Sequence, residues 1–339
     1  MQPIERVFGI ILGKPVDRTP FTLTTSLYGA SLINCPVPEY FSDPDKYFKG
    51  QVAVVNELEP DIIFSPFALV KEAEAFGSES ISTANNAPNL KKPVISDYSE
   101  ISSLELPDIE NHRSLIYLIE STRLLAEQYR GQIPIAAICT SPTELPALIM
   151  GIEGWIDTLL FHPEEAQLMM KLTSRFFVRF ANMLLKAGAS CIVTFADFSN
   201  PTIITRKIAE QTMIPVLQQA YAQLNGPIIF HHGGPRINPF LDLFPQLPNL
   251  AGIVISPKDS FEETRQIAGN DITVFGNLNG QMLWKANPNI IEKWTLNILE
   301  NRRNDSHFIL ASSNADIPLE TPLENLKTIV RTHKNYTCS

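Results

Sequence analysis

The chain has 339 residues, 44% of them apolar and 19% charged, which is enough for one large globular unit and excludes an intrinsically disordered chain. Its 27 Lys and Arg against 36 Asp and Glu leave a net charge of −9, with no basic cluster on any helical stretch, so the footprint of a nucleic-acid binder is missing. No run approaches the roughly 18 uninterrupted apolar residues of a membrane-spanning helix, and the opening Met1-Gln2-Pro3-Ile4-Glu5-Arg6 lacks the layout of a secretory signal; a cytoplasmic protein with no membrane partner is expected.

Along the chain, short apolar runs rich in Ile, Val, Phe and Thr alternate with longer stretches of helical period. The runs are 21–26, 61–66, 134–140, 190–197, 227–234, 252–257, 273–278 and 308–314. They are nearly continuous in apolar character rather than alternating, which predicts strands of a parallel sheet covered on both faces, with helices crossing over between them. Helix starts are marked by Pro after a capping position at Asp43-Pro44, His162-Pro163, Asn287-Pro288 and Thr321-Pro322. Ser260 with Glu263, and Thr321 with Glu324, have the spacing of a capping box. Over 164–186, a stripe of Leu168, Met169, Leu172, Phe176, Phe177, Phe180, Met183 and Leu184 predicts one long amphipathic helix packed on the sheet.

With no Gly/Ser linker and no break in composition, these units predict a single α/β domain over 1–339, a (β/α)8 TIM barrel. The Ser-, Asn- and Pro-rich stretch at about 75–124 fits least well. It is expected to be a long excursion between the second and third strands, hanging over the barrel mouth.

In such barrels the reacting groups come from the C-terminal ends of the strands. Those ends offer Thr24, Thr25 and Ser26; Ser65; Thr140 and Ser141; Asp197 and Ser199; His231 and His232; Ser256 and Lys258; Asn277 and Asn279; and Ser312, Ser313 and Asn314. The expected mouth is polar but mostly neutral, with Asp197, the two histidines and Lys258 as its ionisable groups. Phe230-His231-His232-Gly233-Gly234 is the most specific local signal: a strand ending in imidazoles, followed by glycines that a ligand can approach closely. Neighbours on a strand face opposite sides, so His231 is expected to face the mouth and His232 to be the buried partner. Asp197 reads equally as a mouth carboxylate or as the cap of the next helix. His112, His162, His307 and His333 read as structural or solvated. Cys35, Cys139, Cys191 and Cys338 are widely spaced and contain no C-x-x-C, which suits a reducing compartment.

The landmarks Glu5-Arg6-Val7, Lys14-Pro15-Val16-Asp17-Arg18-Thr19-Pro20, Ser141-Pro142-Thr143, Ala187-Gly188-Ala189, Asp197-Phe198-Ser199, the His231 strand, Gly276-Asn277 and Thr321-Pro322-Leu323-Glu324-Asn325-Leu326 resemble, almost end to end, the uroporphyrinogen decarboxylase superfamily. Within it the chain looks most like the cobalamin-dependent methyltransferases that move a methyl group between a corrinoid and a thiol. The resemblance implies a barrel with its site at the mouth. In that branch zinc is held by an H-x-C motif on the fifth strand and a Cys on the eighth, where it delivers a thiolate at neutral pH. Here His231 persists, the position two further on is Gly233, and the last-strand cysteine falls on Asn314 or Ala315. One imidazole and an amide do not make a usual zinc site, and Cys139 could substitute only by an unfamiliar geometry, so no metal is expected, or His231 alone in a degenerate site.

The decarboxylase features are also absent: Ser65 is followed by Pro66 rather than Asp, and no Arg-rich stretch lies near the first strand. The expectation is therefore a corrinoid-linked methyltransferase that works with a small methyl donor or acceptor and a separate corrinoid protein, since no segment resembles a cobalamin-binding one. His231, Asp197 and Asn314 would orient or protonate the substrate, and Thr25, Ser65, Thr140, Ser199, His232, Ser256 and Asn277 would bind it. Tetrapyrrole decarboxylation and a non-catalytic barrel binding a ligand or a corrinoid protein stand as alternatives.

Overall fold

Each expected apolar run holds a parallel strand in the computed structural model, which describes residues 1–337, with side chains as far as Tyr336. Cys338 lies outside the described residues. The strands are β1 (Phe21–Thr22), β2 (Ile63–Phe64), β3 (Ile135–Ile138), β4 (Cys191–Phe195), β5 (Ile228–His231), β6 (Leu250–Val254), β7 (Thr273–Asn279) and β8 (Phe308–Ser313). Hydrogen-bonded neighbours run in the order β1-β8-β7-β6-β5-β4-β3-β2. Between β1 and β2 the ring is completed by three bonds: Asp61 N–H to Phe21 O at 2.7 Å, Phe21 N–H to the Asp61 carboxylate at 2.8 Å, and the Thr22 hydroxyl to Ile62 O at 2.9 Å. The result is the (β/α)8 barrel that the apolar runs predict.

Most strands stop short of their runs because side chains take over from the ladder at the upper rim. Ser312 Oγ accepts the Thr24 N–H at 2.8 Å, Ser65 Oγ accepts the Ile138 N–H at 2.9 Å, and Glu72 accepts the Thr140 N–H at 2.8 Å. Such bonds satisfy the backbone without extending the sheet. Inside the barrel, Ile62, Ala136, Val193, Phe195, Ile229, Phe275 and Ala311 form one apolar layer, floored by Val7 and Ile10 of the N-terminal helix Pro3–Ile11.

Crossover helices follow most strands, with Pro44–Leu58 capped by the Asp43 carboxylate and Pro288–Arg302 by Asn287. Four sequence expectations need correction. The β5-to-β6 connection holds only the 3-10 turn Asn238–Leu243, in a segment rich in Pro and Asn. The excursion is shorter than 75–124, because helix Arg113–Gln128 belongs to the ring; before it come a hairpin of Glu79–Ile81 with Asn89–Lys92 and the 3-10 turn Tyr98–Ser103. In the long helix Pro163–Lys186, Met170 is buried whereas Leu168 is 46% exposed. Ser260 does cap its helix through Glu263 N–H, but Thr321 Oγ1 is buried without a partner and Glu324 pairs with Arg331 instead.

The floor is locked by buried charge. Asp61 is fully buried and takes Arg6 at 2.5 Å and Arg18 at 2.6 Å, while Arg6 also holds Asp17 at 2.7 Å. Three of the landmark residues, Arg6, Asp17 and Arg18, thus join with Asp61 to tie the first helix to β1 and β2. Removing one member of such a network leaves the others buried and unpaired. Asp61→Ala is expected to lower unfolding free energy by about 3–5 kcal/mol in urea denaturation, against near-neutrality if the network were dispensable.

At the opposite end Glu72, on helix Val70–Phe76, is 1% exposed, and its carboxyl binds the Thr140 N–H and hydroxyl, each at 2.8 Å. Burial pushes it from 4.5 up to about 8. The native chain therefore keeps a proton that the unfolded chain releases, so stability falls as pH rises across that interval. His232 and His333, pushed down to about 4 by burial, act in the opposite sense, but only below their unfolded value of 6.5. Thermal unfolding midpoints should accordingly fall from pH 6.5 to 8, and less steeply in Glu72→Gln; a rise over that interval contradicts the assignment.

Candidate active site at the barrel mouth

The strand ends surround an open cleft of about 590 Å³, walled by Leu27, Phe67, Phe198 and Trp284 and covered on one side by the hairpin turn 85–89. Its ionisable lining is acidic: Asp197, Asp316 and Glu320. No Lys or Arg is among the described residues lining it. Lys258 is exposed on its loop, outside that lining, and Arg236 is paired with Asp259 and Glu263.

Asp197 sits just past β4, where the chain leaves the barrel wall. Its carboxyl packs against Gly233, so closely that a Cβ added there would lie 2.5 Å from Oδ1. Gly233 has φ +68°, a second reason for glycine at this point. The next helical turn, Arg206–Ile208, is capped by Thr205, so Asp197 does not serve as that cap. Burial pushes Asp197 up to about 6. Behind it lies Glu144, 2% exposed, whose Oε2 accepts the Phe198 N–H at 2.6 Å. Burial, then the charge of Asp197, pushes Glu144 up to about 8. Across the cleft, burial also raises Asp316, whose Oδ2 accepts the Leu27 N–H at 3.0 Å. Buried oxygens without a hydrogen-bond partner collect at these ends: Glu144 Oε1, Ser313 Oγ, Asn314 Oδ1 and Asp316 Oδ1. Such atoms are rare in folded chains and mark a place where polar chemistry is incomplete.

The histidines are placed differently from the sequence expectation. His231 does face the barrel interior, but it is 6% exposed and lines a small internal cavity of about 30 Å³ rather than the cleft. Phe67, in the cleft wall, stacks on Phe195 at 4.8 Å, and Phe195 packs on the imidazole at 4.8 Å, so a column of rings separates His231 from the mouth. Its Nδ1 accepts the Gly233 N–H at 3.0 Å, and burial holds it well below 6.5, as neutral imidazole. His232 is fully buried, with Nδ1 3.0 Å from Pro235 O and Nε2 3.4 Å from the Asn314 nitrogen.

Of the candidate catalytic and substrate-binding residues named on sequence, Asp197 alone lines the cleft. The hydroxyls of Thr25, Thr140, Ser199 and Ser256 donate to Leu23 O, Glu72, Thr143 O and Gly234 O. Ser65 holds Ile138, Asn277 donates to Ser256 O and Asp259 O, and Asn314 donates to Asn279. These residues bring the loops together around the mouth. Sequence reasoning missed Glu72 and Glu144. Glu144 could have been found as the one carboxyl in the otherwise uncharged stretch from Cys139 to Met150.

The donor set does not fit zinc. His231 Nδ1 is engaged by backbone, the position two residues on is filled by the Asp197 carboxyl, and Cys139 is buried beside Glu72 at 3.8 Å. Among the described residues no three His, Cys, Asp or Glu side chains converge as a ligand set.

The chain shares its fold over 99% of both lengths with a methyltransferase from Methanosarcina mazei, at 19% identity and a TM-score of 0.89. A B12-independent methionine synthase from Shewanella sp. W3-18-1, solved with selenomethionine, matches at 12% identity over 88% of this chain and 90% of its own, with a TM-score of 0.56. At these identities the likeness is one of fold. No curated protein matches significantly. Among the described residues no helix is long and apolar enough to cross a membrane. Residues 2–336 match the family described as uroporphyrinogen decarboxylase (URO-D), and the chain belongs to that family.

Proposed function

We propose that this chain is the substrate-holding subunit of a corrinoid-linked methyl-transfer system. It takes a small methyl donor into the cleft and presents it to a corrinoid carried by a partner protein. The observation that carries the reading is Asp197: a carboxyl in the cleft wall, without a cation beside it, poised at about 6. Fold shared end to end with a methyltransferase supports it.

Removing a methyl group from an ether or an amine expels a basic heteroatom, and a proton delivered as the bond breaks turns that heteroatom into a neutral leaving group. Asp197 supplies this proton. A reduced corrinoid supplies the nucleophile that takes the methyl group. A cleft of about 590 Å³ has the size of a small-molecule site, and its lining includes Trp284, 44% exposed, where a flat macrocycle held by another protein can lie. Asn314 lies outside the cleft lining, and its amide nitrogen donates to Asn279, which ties the ends of β7 and β8 together beneath the substrate. His231, neutral beneath Phe195, supports this floor through packing. An all-acidic ionisable lining speaks against a tetrapyrrole substrate bearing many carboxylates, which needs cationic partners.

Methyl transfer from a panel of methyl ethers and methylamines to cob(I)alamin, followed by the absorbance of methylcobalamin, should show turnover with at least one donor. Asp197→Asn should then lose about 10²- to 10⁴-fold in rate, with donor affinity changed only a few-fold. An unchanged rate in that variant, or no transfer across the panel, contradicts the reading.

A further inference from the structure

Asp316 follows β8 and Asp197 follows β4, and in the ring order β4 and β8 are four strands apart whichever way round they are counted. The two residues therefore line one cleft from opposite sides of the barrel. Backbone fixes the position of Asp316: its carbonyl accepts Gln281 Nε2 at 2.5 Å, and the next residue, Ile317, donates its N–H to Thr24 O at 2.9 Å. The residue is 8% exposed; Oδ2 takes the Leu27 N–H at 3.0 Å, while Oδ1 has no partner. Asp61, the buried carboxylate of the floor, is held by Arg6 and Arg18. No Lys or Arg is paired with Asp316 among the described residues. A buried carboxyl left without a counter-ion in the wall of an open cleft is completed by a cation that the cleft admits.

The rest of the lining suits the same guest. Phe67, Phe198 and Trp284 supply aromatic rings, which attract a cation that lies over a face. Trp284 already has Lys285 Nζ over its ring at 4.8 Å, although Lys285 is not among the lining residues. Glu320 adds an exposed carboxylate. We propose that Asp316 sets the substrate class: the cleft takes a cationic methyl donor, with an ammonium group seated against Asp316 and the methyl-bearing heteroatom across the mouth at Asp197. This rests on the methyl-transfer reading for which end reacts, but not for the binding of the cation. Burial raises the Asp316 carboxyl while it stands alone, and an ammonium beside it favours the ionised form. An anionic donor finds only acidic groups among the ionisable residues of the lining and is rejected by like charge. Cleft volume, about 590 Å³, leaves room for a ring between the two ends of the donor.

Isothermal titration of the full chain at neutral pH, without any corrinoid, tests the site with para-methoxyphenyl probes whose short arm ends in an ammonium, a hydroxyl or a carboxylate. The ammonium probe should bind about tenfold or more tightly than the hydroxyl probe, and the carboxylate probe most weakly. Asp316→Asn, which keeps an acceptor for the Leu27 N–H, should remove the advantage of the ammonium and leave the hydroxyl probe within a few-fold. A merely structural loss would weaken both probes alike, and a general pull of the acidic chain on cations would survive the substitution. An ammonium probe that binds no better than the carboxylate one, including no binding by any of the three, overturns the proposal, as does an advantage that persists in Asp316→Asn. The wild-type comparison stands even if the variant fails to fold. Cation-selective binding with no methyl transfer to cob(I)alamin would refute the activity assigned above while leaving this site in place; transfer from the carboxylate probe as fast as from the ammonium probe would do the reverse.

Discussion

A charge in a dry protein interior must be paired or neutralised, and this barrel uses the two solutions at its two ends. At the floor, Asp61 is buried between Arg6 and Arg18, and the pairing ties the first helix to the strands at which the ring closes. At the mouth, Glu72, Glu144 and Asp197 are buried or half-buried without a cation, and each is pushed upward by loss of solvent. Neutralisation there is by protons. Burial raises the mouth carboxyls above the ordinary carboxylate range, whereas the floor carboxylate is paired with guanidinium groups, and that difference gives the two ends different work.

The fold was legible because it rests on a pattern that many residues repeat. Runs such as 134–140 and 190–197 are apolar on both faces, and only a sheet covered inside and outside accommodates that. What the pattern could not fix was where each strand ends, since Ser65, Ser312 and Glu72 replace ladder bonds from distant parts of the chain. The excursion was overextended for a related reason: helix Arg113–Gln128 follows directly on a Ser- and Pro-rich loop, and the composition of one obscured the start of the other.

The site was less legible. His231 has the strand position of a mouth residue, but the ring column of Phe67 and Phe195 that closes over it joins the loop after β2 to β4, a contact no local motif announces. The hydroxyls at the strand ends gather near the mouth, yet most are turned to backbone atoms of neighbouring loops. Glu144 went unnoticed because a carboxyl at a helix start usually reads as a solvated cap. Asp197 was the exception, as a lone charge ending an apolar strand.

Gly233 links the resemblance to the chemistry. At the position where the sequence resemblance implies a cysteine, this chain has no side chain, and the Asp197 carboxyl occupies the adjacent space, 2.5 Å from where a Cβ would stand. A proton-bearing acid and a sulfur-held cation cannot share that volume. The most direct measurement is the zinc content of the purified chain after exposure to stoichiometric zinc and removal of excess, in wild type and His231→Ala. The account predicts far less than one zinc per chain in both; one tightly held zinc in wild type that disappears with the imidazole would contradict it.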